Sequence, residues 1–295
     1  MSQPVTIVIC YATGTASVLR ACLSSIARHT QDDDYRVWVV NRRQDAPFDA
    51  AEELTFLSCC ELKMVDVKKT DTTSWTHADM LDAIVPRVET EFILTLDSDC
   101  FPVADGWLCD LKAMIRNGAD CVGILYPYGP PPSDMPKNKI AYRVRSQQCW
   151  QTTHVACQML SIDLLRRFQL KYHDGDDTGL AIPAAIKKAG LLIDGFRATR
   201  SPKPSGDYNA EFNRYVGIVF GDKVFHQGGF TRENLCGDEE ILKQQFAWLK
   251  ERVIAEEGAE FLLDDACSYR FKFDREEEVA ERKMSHLFGL AKDRL

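Results

Sequence analysis

The chain has 295 residues, 45% hydrophobic and 27% charged, which suits one well-filled α/β domain with a terminal appendage. Its formal net charge of -8 gives no general attraction to polyphosphate and argues against a nucleic-acid partner. No apolar run is long enough to span a bilayer. The opening MSQPVTIVIC lacks a basic flank and a small-residue cleavage site, so it reads as a first strand and not a signal peptide.

The 11 cysteines are scattered, with one Cys59-Cys60 neighbour pair and no CxxC. Several lie in apolar stretches, such as Cys10, Cys121 and Cys157. They predict buried free thiols in a reducing compartment and a cytoplasmic protein, not a disulfide framework.

Val5 to Cys10 reads as a buried strand. Tyr11 to Thr15 is a loop, and Val18, Leu19, Cys22, Leu23 and Ile26 then recur at helical spacing. Tyr35–Val40 and Met64–Val67 predict two further strands. Thr76–Val88 predicts a helix with Ala78, Leu81, Ile84 and Val85 inward, and Glu91–Leu96 a fourth, almost wholly apolar strand. This alternation indicates βαβ units and a mixed, mostly parallel sheet flanked by helices.

Trp107–Asn117 reads as a helix closed by Gly118, Cys121–Leu125 as a strand, and Tyr126–Asn138 as a proline- and glycine-rich loop. His154–Leu160 predicts a strand, with Ser161 capping a helix through Phe168. Leu180–Ala189 predicts a helix with Pro183 in its first turn and Gly190 as its stop. Arg197–Asp207, with basic residues, two prolines and a glycine, reads as a mobile surface loop. Val216–Phe225 gives one or two strands, and Asp238–Ile254 a long helix. The tail after Phe273 is charged and poor in apolar positions, as in a solvated helix or a partly disordered segment. The division expected is a catalytic domain over 1–235 and a helical extension over 236–295.

Phe92 to Leu96 runs straight into Asp97-Ser98-Asp99. Ligands of open α/β sheets bind beyond the carboxyl ends of the strands. Two carboxylates two residues apart point the same way when the chain stays extended. They form a hard-oxygen site suited to Mg²⁺ or Mn²⁺, which shares its shell with substrate phosphates. The plain alternative is a strand end followed by a turn at Phe101-Pro102.

The order and spacing of these motifs resemble the GT-A glycosyltransferases, especially the family 2-like group, from Thr6 to about Phe230. TIVICYATGTASVLRACLSSIARHT is similar to that family's opening strand, loop and helix. VVNRRQD, from Val39 to Asp45, is similar to its second strand end, and WTHADMLDAIVPRVETEFILTLDSDCFP to its helix leading into the metal strand. The resemblance implies a hexosyltransferase-like enzyme that moves a sugar from a UDP- or GDP-sugar to a hydroxyl-bearing acceptor. It implies nucleoside contacts from Tyr11 and Asn41. Asp97 and Ser98 would lie on the donor, with Asp97 toward the ribose or the metal, and Asp99 would be the metal ligand proper.

The resemblance also singles out Asp174-Gly175-Asp176-Asp177, ahead of a helix, where inverting members carry a general base. Asp177 is the first choice and Asp176 the second, with helix capping as the alternative for both. The family's usual second acidic residue falls here on Gly179. Val224-Phe225-His226-Gln227-Gly228-Gly229 is similar to the late segment in which some GT-A enzymes complete the metal shell with histidine. His226 fits that place, and imidazole favours Mn²⁺. His154 and His173 are less specific, and His154 suits a hydrogen-bonded structural role. Arg197, Arg200 and Lys203 read as solvated charge with a phosphate contact as the alternative. A nucleotidyltransferase and a catalytically silent sugar-nucleotide binder are the rival readings. The former wants a glycine-rich, lysine-bearing loop, and Tyr11–Ser17 has one glycine and no lysine.

Overall fold

Val5, Ile7 and Ile9 of β1 (Val5–Tyr11) enter one apolar layer and Val8 enters another, so this strand is buried on both faces. That is why its sequence is a nearly continuous apolar run. The structure, a computed structural model, describes residues 4–11, 15–30, 34–42, 61–67, 77–126, 152–173, 178–203, 217–227 and 240–270.

The other strands of the main sheet are β2 (Tyr35–Arg42), β3 (Glu61–Val67), β4 (Phe92–Asp97), β6 (Cys121–Tyr126), β7 (Thr152–Ser161) and β8 (Ile193–Phe196). Their order is β3-β2-β1-β4-β7-β6-β8. The β1–β2, β1–β4, β2–β3 and β6–β8 pairs are parallel, and β7 runs antiparallel to both β4 and β6. The expected mixed, mostly parallel, Rossmann-like sheet is therefore present.

Helices cover both faces. On one side lie α2 (His77–Ile84), α4 (Ile162–Arg167) and α5 (Ala181–Lys188), with Leu81, Leu165 and Ile186 buried among them. On the other lie α1 (Ala16–His29) and α3 (Trp107–Arg116), with Leu23 and Trp107 in the larger core. Ser161 caps α4 as expected, its Oγ accepting the Leu164 N–H at 3.0 Å. Helix α2 is shorter than predicted and passes into a 3₁₀ turn over Val85–Arg87, where Pro86 supplies no N–H to continue it.

A second sheet packs into the larger core. Its strands are β5 (Cys100–Pro102), β9 (Ala198–Pro202), β10 (Ile218–Phe220), β11 (Val224–His226) and β12 (Ser268–Arg270), in the order β12-β9-β10-β11-β5. The surface loop expected over Arg197–Asp207 is overturned over Ala198–Pro202, which form β9 with Arg200 only 4% exposed, while 204–207 lie outside the described residues. Its charge is matched by Asp222 at 3.0 Å and Asp265 at 2.5 Å, partners that lie far away in sequence.

Helix α6 (Glu240–Ala255) buries Leu249 and Val253 in the same core, and β12 pairs with β9. The segment beyond residue 236 thus adds a strand as well as a helix. The tail after Phe273 lies outside the described residues. Cys22, Cys100, Cys121 and Cys157 are buried free thiols, whereas Cys10 is half-buried and Cys109 exposed. Among the described residues no helix is long and apolar enough to cross a membrane.

Candidate metal and nucleotide site

The parallel registers align three strand ends. Tyr11 of β1 stands opposite Asn41 of β2, and Cys10 opposite Asp97 of β4. Tyr11, Asn41 and Asp97 therefore share the carboxyl edge of the sheet, where open α/β folds bind ligands. The side chains of Tyr11 and Asn41 lie outside the described residues, so the register fixes only their backbone positions.

From Asp97 the chain turns through Ser98 and Asp99, both buried, and enters β5. Strand β11 returns antiparallel beside it and sets His226 opposite Cys100. The Gln227 N–H donates to the Asp99 carbonyl at 3.1 Å and extends the pairing to the ligand turn. As a result His226 Nε2 lies 3.8 Å from Asp99 Oδ1. Among the described residues, Asp97, Asp99 and His226 each offer a ligand atom, all within 4.8 Å of one another.

This donor set fits a divalent ion. Bonds of about 2.1 Å leave adjacent donors about 3 Å apart and opposite donors about 4 Å apart, close to the spacing here. Burial, and then the nearby charge of His154, hold His226 well below the usual histidine pKa. The ring is then neutral and keeps a lone pair for coordination. Two carboxylates and one imidazole suit Mn²⁺ or Mg²⁺, and the imidazole tilts the preference toward Mn²⁺.

Two further histidines flank the cluster. His77, the first residue of α2, places Nε2 3.5 Å from Asp97 Oδ1. No local spacing in the sequence links the two, and His77 was not among the expected site residues. His154 has its ring 5.6 Å from that of His226, and its Nδ1 accepts the Ala156 N–H at 3.1 Å. The hydrogen-bonded role expected of His154 is present, together with a place beside the site. Arg200 is taken up by its carboxylates. Lys203 donates to the Asp265 carbonyl and lies 4.9 Å over the Tyr269 ring, so neither is spare charge for phosphate.

Asp176 and Asp177 lie outside the described residues, as do Gly228 and Gly229. The ends of the acidic segment are tied down. The Gly179 N–H donates to the Tyr172 carbonyl at 2.8 Å, and Asp82 of α2 accepts the N–H groups of Tyr172 and His173. His173 Nδ1 also lies 3.0 Å from Asp79 Oδ1. Gly179 has φ +68°, and a Cβ there would meet the Tyr172 ring at 3.1 Å. An acidic side chain at that position would be strained.

No curated protein is a significant match to the chain. Among solved structures, S. aureus TarS is 16% identical, covering 58% of this chain and 30% of that one, with a TM-score of 0.40. Glucosyl-3-phosphoglycerate synthase from Mycobacterium tuberculosis, solved with Mn²⁺, UDP and phosphoglyceric acid, is 15% identical, covering 66% and 68% at a TM-score of 0.45. The 4-diphosphocytidyl-2C-methyl-D-erythritol synthase is 18% identical, covering 67% and 89% at a TM-score of 0.41. This chain thus spans under a third of TarS. The sequence pattern that matches is the one described as glycosyl transferase family 2, over residues 6–172. That match takes in more than half of the chain, including the sheet edge and the Asp97-Ser98-Asp99 turn, and the chain belongs to this glycosyltransferase family.

Proposed function

We propose that the protein transfers a sugar from a nucleoside-diphosphate donor, UDP- or GDP-linked, to a hydroxyl-bearing acceptor, with Mn²⁺ or Mg²⁺ at Asp97, Asp99 and His226. The convergence of those three side chains at the carboxyl end of β4 carries the reading. A bound divalent ion would neutralise the diphosphate leaving group as the sugar bond breaks. Asp99 and His226 hold the inner part of the site, buried and screened from water. Asp97, with 22% of its side chain exposed, borders the open edge of the sheet. Tyr11 and Asn41 are assigned to the nucleoside because their backbones sit next to each other on that same edge.

Asp177, with Asp176 as the second choice, is assigned the acceptor's proton. A carboxylate ahead of a helix N-terminus is stabilised as an anion, which costs basicity that partial burial would restore. Deprotonation by this group implies inversion at the anomeric carbon. Calorimetric titration of UDP and GDP, with Mn²⁺ and again with EDTA, tests the reading. We expect saturable binding that weakens by at least about tenfold, ~1.4 kcal/mol, when the metal is removed. Equal affinity in EDTA would remove the metal from the proposal.

A further inference from the structure

We propose that Cys22 and Ser25 of α1 are positioning residues that hold the backbone of the Asp97-Ser98-Asp99 turn from beneath. This role rests on the metal reading above. Strand β5 is at the edge of its sheet, with β11 on one side only. Backbone carbonyls alternate along a strand, so those of Cys100 and Pro102 face away from β11, whereas that of Asp99 accepts from Gln227. Buried edge carbonyls need donors. Helix α1 supplies them from two residues on one face. Cys22 Sγ lies 3.2 Å from the Cys100 carbonyl and 3.9 Å from that of Asp97, and Ser25 Oγ donates to the Pro102 carbonyl.

Both side chains are fully buried. A helical serine commonly bonds a carbonyl of its own helix one turn back, but Ser25 donates to β5. The single thiol proton of Cys22 goes chiefly to the nearer carbonyl. The sulfur nevertheless touches the backbone at both ends of the turn, before Ser98 and after Asp99. A shift of either end would move the Asp97 and Asp99 carboxylates relative to His226, which is anchored on its other side by the pairing of β11 with β10. The clasp therefore sets how closely the three ligands converge, without itself touching metal or substrate.

The test uses the full chain with Cys22→Ala, Cys22→Val and Cys22→Ser. Mn²⁺ affinity is read by electron paramagnetic resonance of the free ion, and amide exchange at Ser98 to Cys100 is read on metal-free protein. Loss of a hydrogen bond to a metal ligand itself costs about 10–100-fold in metal affinity, and because Cys22 acts on the backbone beside the ligands we expect the lower end, about 10-fold, in the alanine and valine variants. Serine retains a donor and should recover most of the affinity. In the exchange arm, the alanine and valine variants should exchange about fivefold faster than the parent. Parental Mn²⁺ affinity in both donorless variants overturns the proposal. If the parent itself binds no Mn²⁺, the metal reading fails, and the exchange arm decides the clasp alone. Unchanged protection there overturns it too. Should the alanine variant not fold, the valine variant, which fills the space without a donor, gives the same two readouts.

Discussion

Cys100 and His226 stand opposite each other where β5 pairs with β11, and this register joins the Asp97-Ser98-Asp99 turn to an imidazole far along the chain. Were the pairing to slip by one residue, the histidine would point to the other face of the sheet. The second sheet therefore contributes to the candidate site and is not a separate structural layer.

Asp99→Ala is expected to abolish metal-dependent nucleotide binding and turnover while the fold survives. Asp99 is 4% exposed and its carboxylate lies 3.8 Å from His226, so its removal relieves a desolvated charge and withdraws the proposed ligand. Calorimetry with Mn²⁺ and UDP, beside a thermal melt, checks both halves. Turnover above about a tenth of the parental kcat, a loss under ~1.4 kcal/mol, would argue against direct ligation.

His226→Ala should weaken Mn²⁺ binding more than it weakens folding. His226 ends a three-residue strand that is already paired to β5 and β10 through its backbone. Those backbone bonds survive the substitution, whereas the imidazole does not. A collapse of the melting temperature with unchanged metal dependence would make His226 a core residue.

Asp177→Asn should lower turnover by about 10²–10⁴-fold without preventing donor binding, because a general base acts on the acceptor. The amide can still accept a capping hydrogen bond, so stability should change little. Normal turnover in Asp177→Asn with a crippled Asp176→Asn moves the assignment by one residue. Normal turnover in both leaves the inverting mechanism without its base.

The main sheet was legible because burial on both faces leaves a continuous apolar signature, as in Phe92 to Leu96 ahead of Asp97. The place of His226 at a strand end was legible from the short apolar run before it and the glycines after it in the sequence. Strands β5 and β12 were not, since each is three residues long and exists only through its partner. Arg200 misled for the same reason. A charged side chain reads as solvated until distant Asp222 and Asp265 are brought beside it. His77 and the Cys22 clasp depend wholly on contacts between elements, and Cys22 reads in sequence as one more core position of an amphipathic helix.

The pH dependence of stability should carry the signature of a junction on α1. His29 bonds Asp105 through Nδ1 at 2.7 Å and Glu260 through Nε2 at 2.8 Å. Burial lowers the pKa of His29, but Glu260 and Asp105 outweigh it and the net shift is upward. Burial raises Glu260, but His29 and Arg28 outweigh it and the net shift is downward. The raised His29 stabilises fully below its unfolded value, about 6.5, and this stabilisation is lost as pH rises through the folded value. The lowered Glu260 stabilises above its unfolded value, about 4.3, and this stabilisation is lost as pH falls through the folded value. The melting-temperature gap between the parent and His29→Ala should therefore be widest between about pH 4.3 and 6.5 and shrink as the pH rises further. A gap that stays constant from pH 5 to 9 would show that His29 acts by packing alone.

Arg200→Met should destabilise the second sheet while sparing the main one. The guanidinium, 5% exposed at its side chain, bonds Asp222 at 3.0 Å, Asp265 at 2.5 Å and Ser268 Oγ at 3.3 Å. It thereby ties β9, the β10–β11 turn and the approach to β12 into one cluster. Replacing a whole buried ion cluster with apolar groups is often neutral, but here both acids would remain. Their cost is limited, since Asp222 keeps Arg270 at 3.2 Å and Asp265 is 78% exposed. The expected loss is therefore about 1–3 kcal/mol in urea unfolding, below that of a fully buried orphan charge. Because Arg200 itself is buried, the loss should persist in 1 M salt, where the Debye length is about 3 Å. Arg200→Lys should recover only part of it, because one ammonium lacks the fork that reaches both acids. Amide exchange should rise first at Ser268 to Arg270, which pair with β9, and stay slow in β1 and β4. Parental stability for Arg200→Met, with full protection at Ser268 to Arg270, would mean that β12 is held by its backbone pairing with β9 and not by this cluster.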